Sequence, residues 1–267
     1  MYSFSNKTVW ITGATSGIGQ ELAIQLHSEG AQLILSGRNA EKLAQLKDQL
    51  SGAKILAFDL ADPESIGSAC ATLDSQGTNV DVLINNGGIS HRDYALQTTM
   101  AVHRQLMQVD YFSQIQLAQW AAKKMVAKKS GRIVNMASMT GLIGSQQRSA
   151  YSAAKHALVG YCDCLRAEID TLGVKVQTVF PSYVKTAISH NAITGKGEAY
   201  GRGDAEIDGG FQLQFFVSHL LDQVRKGKED IVIAKGKPLW GWRLYRLSQN
   251  AYHKAVRKFY RRTSESS

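Results

Sequence analysis

The sequence predicts a doubly wound α/β fold in a single domain, and two observations support that prediction. Short apolar runs alternate with stretches of helical periodicity along most of the 267 residues. A glycine-rich turn directly follows the first apolar run and opens the first helical stretch. Continuous apolar strands are typical of a parallel sheet that helices cover on both faces. Right-handed crossovers between such strands give a doubly wound sheet.

Seven apolar runs are candidate strands, so we expect a seven-stranded parallel sheet. They cover residues 8–11, 33–35, 54–58, 82–84, 132–134, 174–179 and 231–233. Helical stretches separate most of these runs. In the first stretch, over residues 17–29, Ile18, Leu22 and Leu26 recur at intervals of four and share one helical face.

One long segment interrupts this alternation between the last two predicted strands. Residues 187–210 are rich in glycine and polar side chains. A segment of that length without regular structure inside a compact domain is more often a functional lid than a linker. We therefore expect residues 187–210 to cover a ligand pocket.

The composition is that of a globular protein, with 44% apolar residues and three prolines. The length suits one large domain with a sizeable core. Cys70, Cys162 and Cys164 show neither metal-ligand nor redox-pair spacing, so we interpret them as reduced packing residues and expect no metal site. Residues 1–12 lack a signal-peptide pattern, and no stretch is long and apolar enough to span a bilayer. These features predict a cytoplasmic protein.

The turn after the first predicted strand is rich in glycine and hydroxyl residues. It contains Gly13, Thr15, Ser16, Gly17, Ile18 and Gly19. Glycines let the backbone approach a pyrophosphate closely, and the following helix offers free N–H groups and the positive end of its dipole. An ordinary glycine-rich loop is the alternative, but its position between strand and helix favours phosphate binding.

This turn resembles that of the short-chain dehydrogenase/reductase family, which implies a Rossmann-type fold and a nicotinamide cofactor. The family has a specificity residue after the second strand. Here the run Ser36-Gly37-Arg38 contains no acid. The guanidinium of Arg38 suits a ribose 2′-phosphate, so we favour NADP over NAD; a solvated surface arginine is the alternative.

Two further segments match cofactor-binding positions of the family. Asp59 and Leu60 follow the third strand, where the family has an aspartate that contacts adenine. Asp59 or Asp62 could instead cap the next helix. Asn86 and Gly87 follow the fourth strand beside the expected cofactor. We interpret Asn86 chiefly as a tie between neighbouring strands.

The strongest chemical signal is the pair Tyr151 and Lys155, four residues apart on a predicted helix. That spacing puts both side chains on one face, where the ammonium would lower the pKa of a phenol, about 10 in water. Such a phenol can donate a proton to a carbonyl oxygen as hydride reaches the carbon. Ser138 precedes Tyr151 by thirteen residues, as in the family, and its hydroxyl can polarise that carbonyl. A surface Tyr–Lys pair and a turn serine are the alternatives.

The resemblance also marks positions where this sequence departs from the family. Asp110 stands where the family usually has an asparagine in a proton relay, and an ionised carboxylate cannot donate as an amide does. We include Asp110 in the catalytic set and expect it to raise the proton affinity of Lys155. By resemblance, Lys155 would hold the nicotinamide ribose, and Val184 and Thr186 would meet the nicotinamide amide. Ser182 replaces the usual glycine of that last segment.

Residues 87–92 are similar to a branch of reductases that act on retinoid or steroid-like substrates. His91 lies in this run and could reach the active site. A loop histidine is more often solvated, and we interpret His91 in that way.

The net charge of +9 is concentrated near the end of the sequence. Nine Lys and Arg residues from Lys235 onward face one acid, Glu265, so this segment carries +8. The periodicity predicts one amphipathic helix over residues 240–262 with tryptophans at its start. Its two faces comprise the basic residues Arg243, Arg246, Lys254, Arg257 and Arg261 and the apolar residues Leu244, Leu247, Ala251, Ala255 and Phe259.

Such a helix suits an anionic membrane surface. Packing against the domain or a sister subunit is the alternative, which we slightly favour. A single basic stripe without a known reading motif does not predict nucleic-acid binding.

Taken together, residues 1–239 are predicted to form a Rossmann-type NADP-binding catalytic domain, and residues 240–267 a basic amphipathic tail. We expect an NADP(H)-dependent oxidoreductase that interconverts a small-molecule carbonyl and an alcohol. We expect a homo-oligomer located in the cytoplasm or at the periphery of a membrane. A non-catalytic NADP-binding sensor is the alternative function. A sugar-nucleotide epimerase shares the Tyr–Lys pair but needs a further substrate domain, for which the chain has little room.

Overall fold

The computed structural model describes residues 1–264, with side chains to Lys258. Its centre is an all-parallel sheet of seven strands. The strands are β1 Thr8–Thr12, β2 Gln32–Ser36, β3 Lys54–Ile55, β4 Val82–Asn85, β5 Gly131–Met136, β6 Val174–Pro181 and β7 Asp230–Ile233. Their order in the sheet is β3-β2-β1-β4-β5-β6-β7. The predicted doubly wound fold with a seven-stranded parallel sheet is confirmed.

Helices cover both faces of the sheet. They are α1 Gly17–Ser28, α2 Ala40–Gln49, α3 Pro63–Ser75, α4 Met100–Met107, α5 Ser113–Ala127, α6 Ser149–Ile169, α7 Ala205–Asp208, α8 Leu213–Arg225, α9 Gly236–Leu247 and α10 Gln249–Ser264. The apolar faces of α1, α2 and α8 lie in one layer, and those of α3, α5 and α6 lie in the other. Helix α4 packs against α6.

The continuous apolar strands arise because successive side chains enter opposite layers. In β1, Val9 and Ile11 pack in the layer of α1, whereas Trp10 packs in the layer of α3 and α5. The indole N–H of Trp10 donates to Ser36 Oγ at 2.8 Å, so its polar edge is satisfied inside the core. Burying each such side chain stabilises the fold by roughly 1.5–3 kcal/mol.

Polar side chains cap the N-termini of α2, α3 and α4. Asn39, Asp62 and Thr99 accept hydrogen bonds from the first backbone N–H groups of α2, α3 and α4. The cap of α3 is therefore Asp62. Asp59 instead accepts from the backbone N–H of Ala61 at 3.0 Å.

Strand β3 is shorter than the predicted run over residues 54–58. It lies at the edge of the sheet and pairs only with β2. Beyond Ile55 the chain still donates to β2 from the N–H of Leu56, at 3.0 Å, but loses regular strand geometry. An edge strand pairs on one side only, so fewer hydrogen bonds hold its end in the sheet.

The predicted single helix over residues 240–262 is wrong, because two helices, α9 and α10, replace it. The break is at Ser248, whose backbone is extended. Its hydroxyl accepts from the N–H of Ala251 at 3.2 Å and thereby caps α10. The side chains of Phe259 and Arg261 lie outside the described residues, as does Glu265. Of the helices in the described part of the chain, none combines the length and apolar character that a bilayer crossing requires.

Candidate active site

The glycine-rich turn between β1 and α1 is closely packed against its surroundings. Gly13 and Gly17 have positive φ values of 65° and 53°, a region that favours glycine. A Cβ on Gly19 would lie 2.2 Å from the carbonyl oxygen of Gly13. The turn can therefore keep this path only with glycines at these positions.

The turn leaves the first donors of α1 available. Ser16 is the N-cap residue, yet its exposed side chain makes no capping hydrogen bond within the described chain. The N–H groups of Gly17, Ile18 and Gly19 have no carbonyl one turn earlier in the helix to accept from them. Thr15 lies against Gly37 at the end of β2, where a Cβ would be 3.1 Å from its methyl carbon. The arrangement is a cradle that suits an anion.

Asn86 connects β4 to this turn, as the sequence predicts. Its amide nitrogen donates to the carbonyl oxygens of Thr12 and Gly13 at 3.1 and 3.2 Å. The N–H of Gly87 donates to Thr12 Oγ1 at 3.0 Å. A Cβ on Gly87 would lie 2.6 Å from a methyl carbon of Leu60, so the segments after β1, β3 and β4 meet here.

Arg38 and Asp59 follow two neighbouring strands of the sheet, β2 and β3. Arg38 follows β2 and is exposed, with Asn39 beginning α2 directly after it. Asp59 is half-buried, and its backbone N–H donates to Ser65 Oγ at 3.3 Å. A guanidinium and a carboxylate thus lie at the ends of two neighbouring strands.

The structure brings Ser138, Tyr151 and Lys155 together at the carboxyl end of β5. Tyr151 and Lys155 are both buried on α6, and Tyr151 hydrogen bonds with Ser138. Lys155 Nζ donates to the carbonyl oxygen of Met136 at 2.9 Å and lies 5.7 Å from the centroid of the Tyr151 ring. The three predicted side chains therefore form one cluster, with Tyr151 and Lys155 buried and Ser138 half-buried.

The predicted lowering of the phenol pKa is wrong for the protein alone. Burial and the charge of Asp110 raise the pKa of Tyr151 to about 12, although Arg148 and the hydrogen bond with Ser138 act in the opposite direction. Burial also lowers the pKa of Lys155, and Asp110 partly offsets that effect. The expected effect of Asp110 on Lys155 has the predicted sign, but burial outweighs it.

Asp110 is fully buried in a π-helical turn, Gln108–Phe112, between α4 and α5. Its Oδ1 accepts from the N–H of Ile89 at 2.9 Å, and Oδ2 has no hydrogen-bond partner among the described residues. Burial raises the pKa of Asp110 to about 6, against the lowering effect of Lys155. A Cβ on Gly88 would lie 2.6 Å from Asp110 Oδ1 and 3.7 Å from Lys155 Nζ. A buried carboxyl thus adjoins the cluster of Ser138, Tyr151 and Lys155.

The segment after β6 closes over the glycine-rich turn. A Cβ on Gly17 would lie 3.3 Å from the methyl carbon of Thr186. Thr186 Oγ1 donates to the carbonyl oxygen of Val184 at 3.3 Å, and Val184 is buried. The N–H of Ser182 donates to the carbonyl oxygen of Ile233 at 3.0 Å, so the residue that replaces the family's glycine stays paired beside β7.

Comparison with known proteins agrees with this geometry. A family model described as short chain dehydrogenase matches residues 7–197. The chain belongs to the short-chain dehydrogenase family. The mouse protein named dehydrogenase/reductase SDR family member 7B is 39% identical over 241 residues, which cover 87% of this chain and 75% of the mouse protein.

Solved structures share the fold of this short-chain dehydrogenase. A short-chain dehydrogenase/reductase from Burkholderia phymatum in complex with NAD has a TM-score of 0.82 at 21% identity, covering 94% of this chain and 96% of that one. A short-chain dehydrogenase from Sphingobium yanoikuyae in complex with NADPH has a TM-score of 0.76 at 23% identity, covering 94% and 95%.

A cavity of about 780 Å³ lies over the cluster of Ser138, Tyr151 and Lys155 in this short-chain dehydrogenase. Ser138, Tyr151 and Lys155 line its inner end. Two segments distant in sequence line its outer end. They contribute Ile188, Glu206 and Ile207 from the predicted lid and Trp240, Leu244, Tyr252 and Val256 from α9 and α10. The role of residues 187–210 as a lid stays a prediction.

A charged cluster that no sequence pattern indicated lies beside this cavity. Arg148 is only 9% exposed, and its guanidinium donates to Ser90 Oγ at 3.0 Å and to Asp204 Oδ2 at 3.2 Å. Arg92 also pairs with Asp204, which lies in the predicted lid. Both arginines line the cavity. Arg148 precedes Tyr151 by three residues on the sequence, but only the fold reveals its partners.

His91 is another correction, because it is fully buried rather than solvated. Its Nε2 is 3.0 Å from Thr98 Oγ1, and burial lowers its pKa. The backbone of the predicted lid holds this loop, since the N–H of Ile193 donates to the carbonyl oxygen of Ser90 at 2.9 Å.

Within the described residues, no group of His, Cys, Asp or Glu side chains could hold a metal ion.

Proposed function

We propose that this short-chain dehydrogenase is an NADP(H)-dependent oxidoreductase that interconverts a carbonyl and an alcohol, with Tyr151 as its acid and base. The observation behind the proposal is that half-buried Ser138 and buried Tyr151 and Lys155 cluster at the inner end of a cavity large enough for a small molecule. The glycine-rich turn opens toward the same cavity, since Ile18 and Asn86 also line it.

The residues around the turn fit a dinucleotide. The free N–H groups at the start of α1 would bind the pyrophosphate, and the segment with Asn86 and Gly87 would flank it. Asp59 and Leu60 would contact the adenine. Val184 and Thr186 would bind the nicotinamide amide, and Lys155 the adjoining ribose. When bound, the reduced nicotinamide supplies the hydride.

Arg38 supports NADP over NAD in this proposal. Its exposed guanidinium follows β2, and no carboxylate occupies that position to bind a ribose 2′-hydroxyl. A guanidinium can bind a 2′-phosphate through paired, charge-assisted hydrogen bonds. The Sphingobium protein is in complex with NADPH and the Burkholderia protein with NAD, so the assignment here rests on Arg38.

Tyr151 is suited to carbonyl reduction at neutral pH. With a pKa of about 12, its phenol keeps a proton that it can donate to the carbonyl oxygen as negative charge develops there. The hydroxyl of Ser138 would donate a second hydrogen bond to the same oxygen. The ammonium of Lys155 would stabilise the phenolate that remains. Alcohol oxidation requires that phenolate beforehand, so the raised pKa favours reduction.

We assign Asp110 the role of a proton-exchange group behind Lys155. Its Oδ2 is buried without a partner in the described part of the chain, and its pKa of about 6 lets it gain or lose a proton near neutral pH. An asparagine at this position could hold a water molecule but could not titrate.

Turnover of a carbonyl compound is the direct test. The protein is mixed with NADPH and a panel of aliphatic, aromatic and polycyclic aldehydes and ketones, and loss of the reduced nicotinamide absorbance is followed. We expect oxidation of NADPH together with a matching amount of alcohol product. Tight NADPH binding by calorimetry with no oxidation on any compound would instead identify the non-catalytic sensor.

We also propose a homo-oligomer, because apolar side chains of Met100 on α4 and Phe112 before α5 are exposed. Light scattering on the purified protein measures the assembly. A monomer at micromolar concentration would contradict this part of the proposal.

A further inference from the structure

Helices α9 and α10 are fixed to the domain by one face only. Leu244, Tyr252 and Val256 line the cavity from this inner face. The hydroxyl of Tyr252 donates to the carbonyl oxygen of Gly144 at 3.2 Å, and its ring packs edge-on against Tyr245 with ring centroids 5.3 Å apart. The inner face is therefore occupied by contacts within the protein.

The opposite face is strongly basic, and we call it the basic face. Its charged members are all exposed: Arg243, Arg246, Lys254, Arg257 and Lys258. None of them forms an ion pair with an acidic side chain among the residues that the structure describes. The sequence has no Asp or Glu at all between Lys235 and Ser264. The positive charge of this face is thus uncompensated by its own helices.

Large apolar side chains project between these charges. Trp240 is 68% exposed and Leu247 is 86% exposed, both on α9. The guanidinium of Arg243 lies 5.4 Å from the ring centroid of Trp240. Aromatic rings beside long basic side chains suit the boundary between water and lipid, because each side chain keeps one end apolar and the other solvated.

We propose that the basic face docks on an anionic lipid bilayer. Lipid phosphates would neutralise its five unpaired charges, while Trp240 and Leu247 would enter the headgroup region. A second copy of the chain fits this face poorly. A two-fold interface brings the same surface together, so it would oppose arginines and lysines to one another.

Docking would set the cavity mouth against the membrane. Trp240 and Ile188 both line the cavity and are both exposed, so they lie at its rim, next to the basic face. This part of the inference rests on the proposed function: the enzyme would then take lipophilic carbonyl compounds directly from the bilayer. The proposal also narrows the expected cytoplasmic location to a membrane surface.

Vesicle binding tests the docking without any assay of activity. The full-length protein is sedimented with vesicles of phosphatidylglycerol and phosphatidylcholine, and separately with phosphatidylcholine alone. The test variant is Arg243→Gln/Arg246→Gln/Lys254→Gln. The control variant, Lys42→Gln/Lys47→Gln/Lys54→Gln, loses the same charge from exposed positions near the opposite edge of the sheet.

We expect binding to the anionic vesicles only, weakened by added salt. The test variant should bind on the order of 100-fold more weakly, since each basic residue near such a surface contributes about a fivefold factor. The control should bind like the parent. Matching melting temperatures would show that both variants are folded.

Four results would overturn the proposal. They are equal binding by the parent and the test variant, equal binding to neutral vesicles, loss of an oligomer in the test variant without vesicle binding by the parent, and binding to duplex DNA in place of vesicles. None of them depends on turnover, so failure of the proposed reaction would leave this test unaffected. Conversely, an active enzyme that does not bind anionic vesicles would contradict the docking proposal and leave the proposed reaction intact.

Discussion

The two ends of the cavity are built in different ways. The inner end contains the glycine-rich turn and the cluster of Ser138, Tyr151 and Lys155, and it is formed by short segments that follow β1, β4 and β5 together with α6. The outer end is formed by residues 187–210 and by α9 and α10, which are far apart in the sequence. Glycines packed too closely for a Cβ occur at both ends, at Gly13 and Gly19 in the turn and at Gly195 and Gly210 in the outer segment. The outer end adds the ion pairs of Asp204 and several exposed side chains.

This difference indicates a division of tasks. A dinucleotide and a hydride transfer require the same positions for the same atoms in every member of such a family, and a glycine-packed turn provides them. The substrate differs from enzyme to enzyme, so the outer end needs replaceable side chains. Changes at the inner end should therefore abolish chemistry, and changes at the outer end should alter affinity or stability.

The largest expected effect is that of Tyr151→Phe at the inner end. Removing the proton donor should lower kcat by about 10²–10⁴-fold while NADPH binding persists. Steady-state kinetics and calorimetry with NADPH measure the two quantities. Tyr161→Phe, which removes a phenol from the same helix outside the cavity lining, serves as the control. Parent-like turnover by Tyr151→Phe would refute the mechanism.

At the outer end, Asp204→Asn should loosen the predicted lid. The change leaves the buried Arg148 and its neighbour Arg92 without their carboxylate, so the free energy of unfolding should fall by about 3 kcal/mol. We expect faster proteolysis within residues 187–210 and a higher KM at similar kcat. Glu198→Gln removes an exposed carboxylate from the same segment and should change neither the rate of proteolysis nor KM. Unaltered proteolysis in Asp204→Asn would show that the ion pairs do not hold this segment.

Arg38→Ala tests which nicotinamide nucleotide the site prefers. Losing charge-assisted hydrogen bonds to a 2′-phosphate should reduce the preference for NADPH over NADH by about 10- to 100-fold. The ratio of the two kcat/KM values measures this preference. Lys47→Ala removes an exposed positive charge from nearby α2 and should leave the ratio unchanged. An unchanged ratio in Arg38→Ala as well would remove the basis for assigning NADP.

The smallest expected effect is a shift in the pH profile of Asp110→Asn. The charge of Asp110 raises the pKa of Tyr151, so its removal should lower that pKa. Alcohol oxidation increases as Tyr151 loses its proton, and its midpoint should therefore move to lower pH by about one unit or less. The parent should also show a second titration near pH 6, from Asp110 itself, that the variant lacks. Profiles of equal shape would leave Asp110 with a structural role only.

Local sequence patterns predicted the strands, the turn and the grouping of Ser138, Tyr151 and Lys155, because each depends on residues close together in the chain. The pKa of Tyr151 was predicted in the wrong direction, since burial and Asp110 act on it only in the folded protein. The ion pairs of Asp204 were missed for the same reason, because Arg148 precedes it by 56 residues. The break at Ser248 was missed because amphipathic periodicity continues through it, although serine is a common N-cap residue.

The attachment of the outer end has a consequence for how such an enzyme can diversify. Residues 187–210 follow β6, while α9 and α10 follow β7, and these two strands are neighbours at one edge of the sheet. Both segments can therefore be exchanged for those of a relative by joining the chains at the ends of β6 and β7, at one edge of the sheet. Such a chimaera would inherit the selectivity of its donor and retain the hydride chemistry of its host.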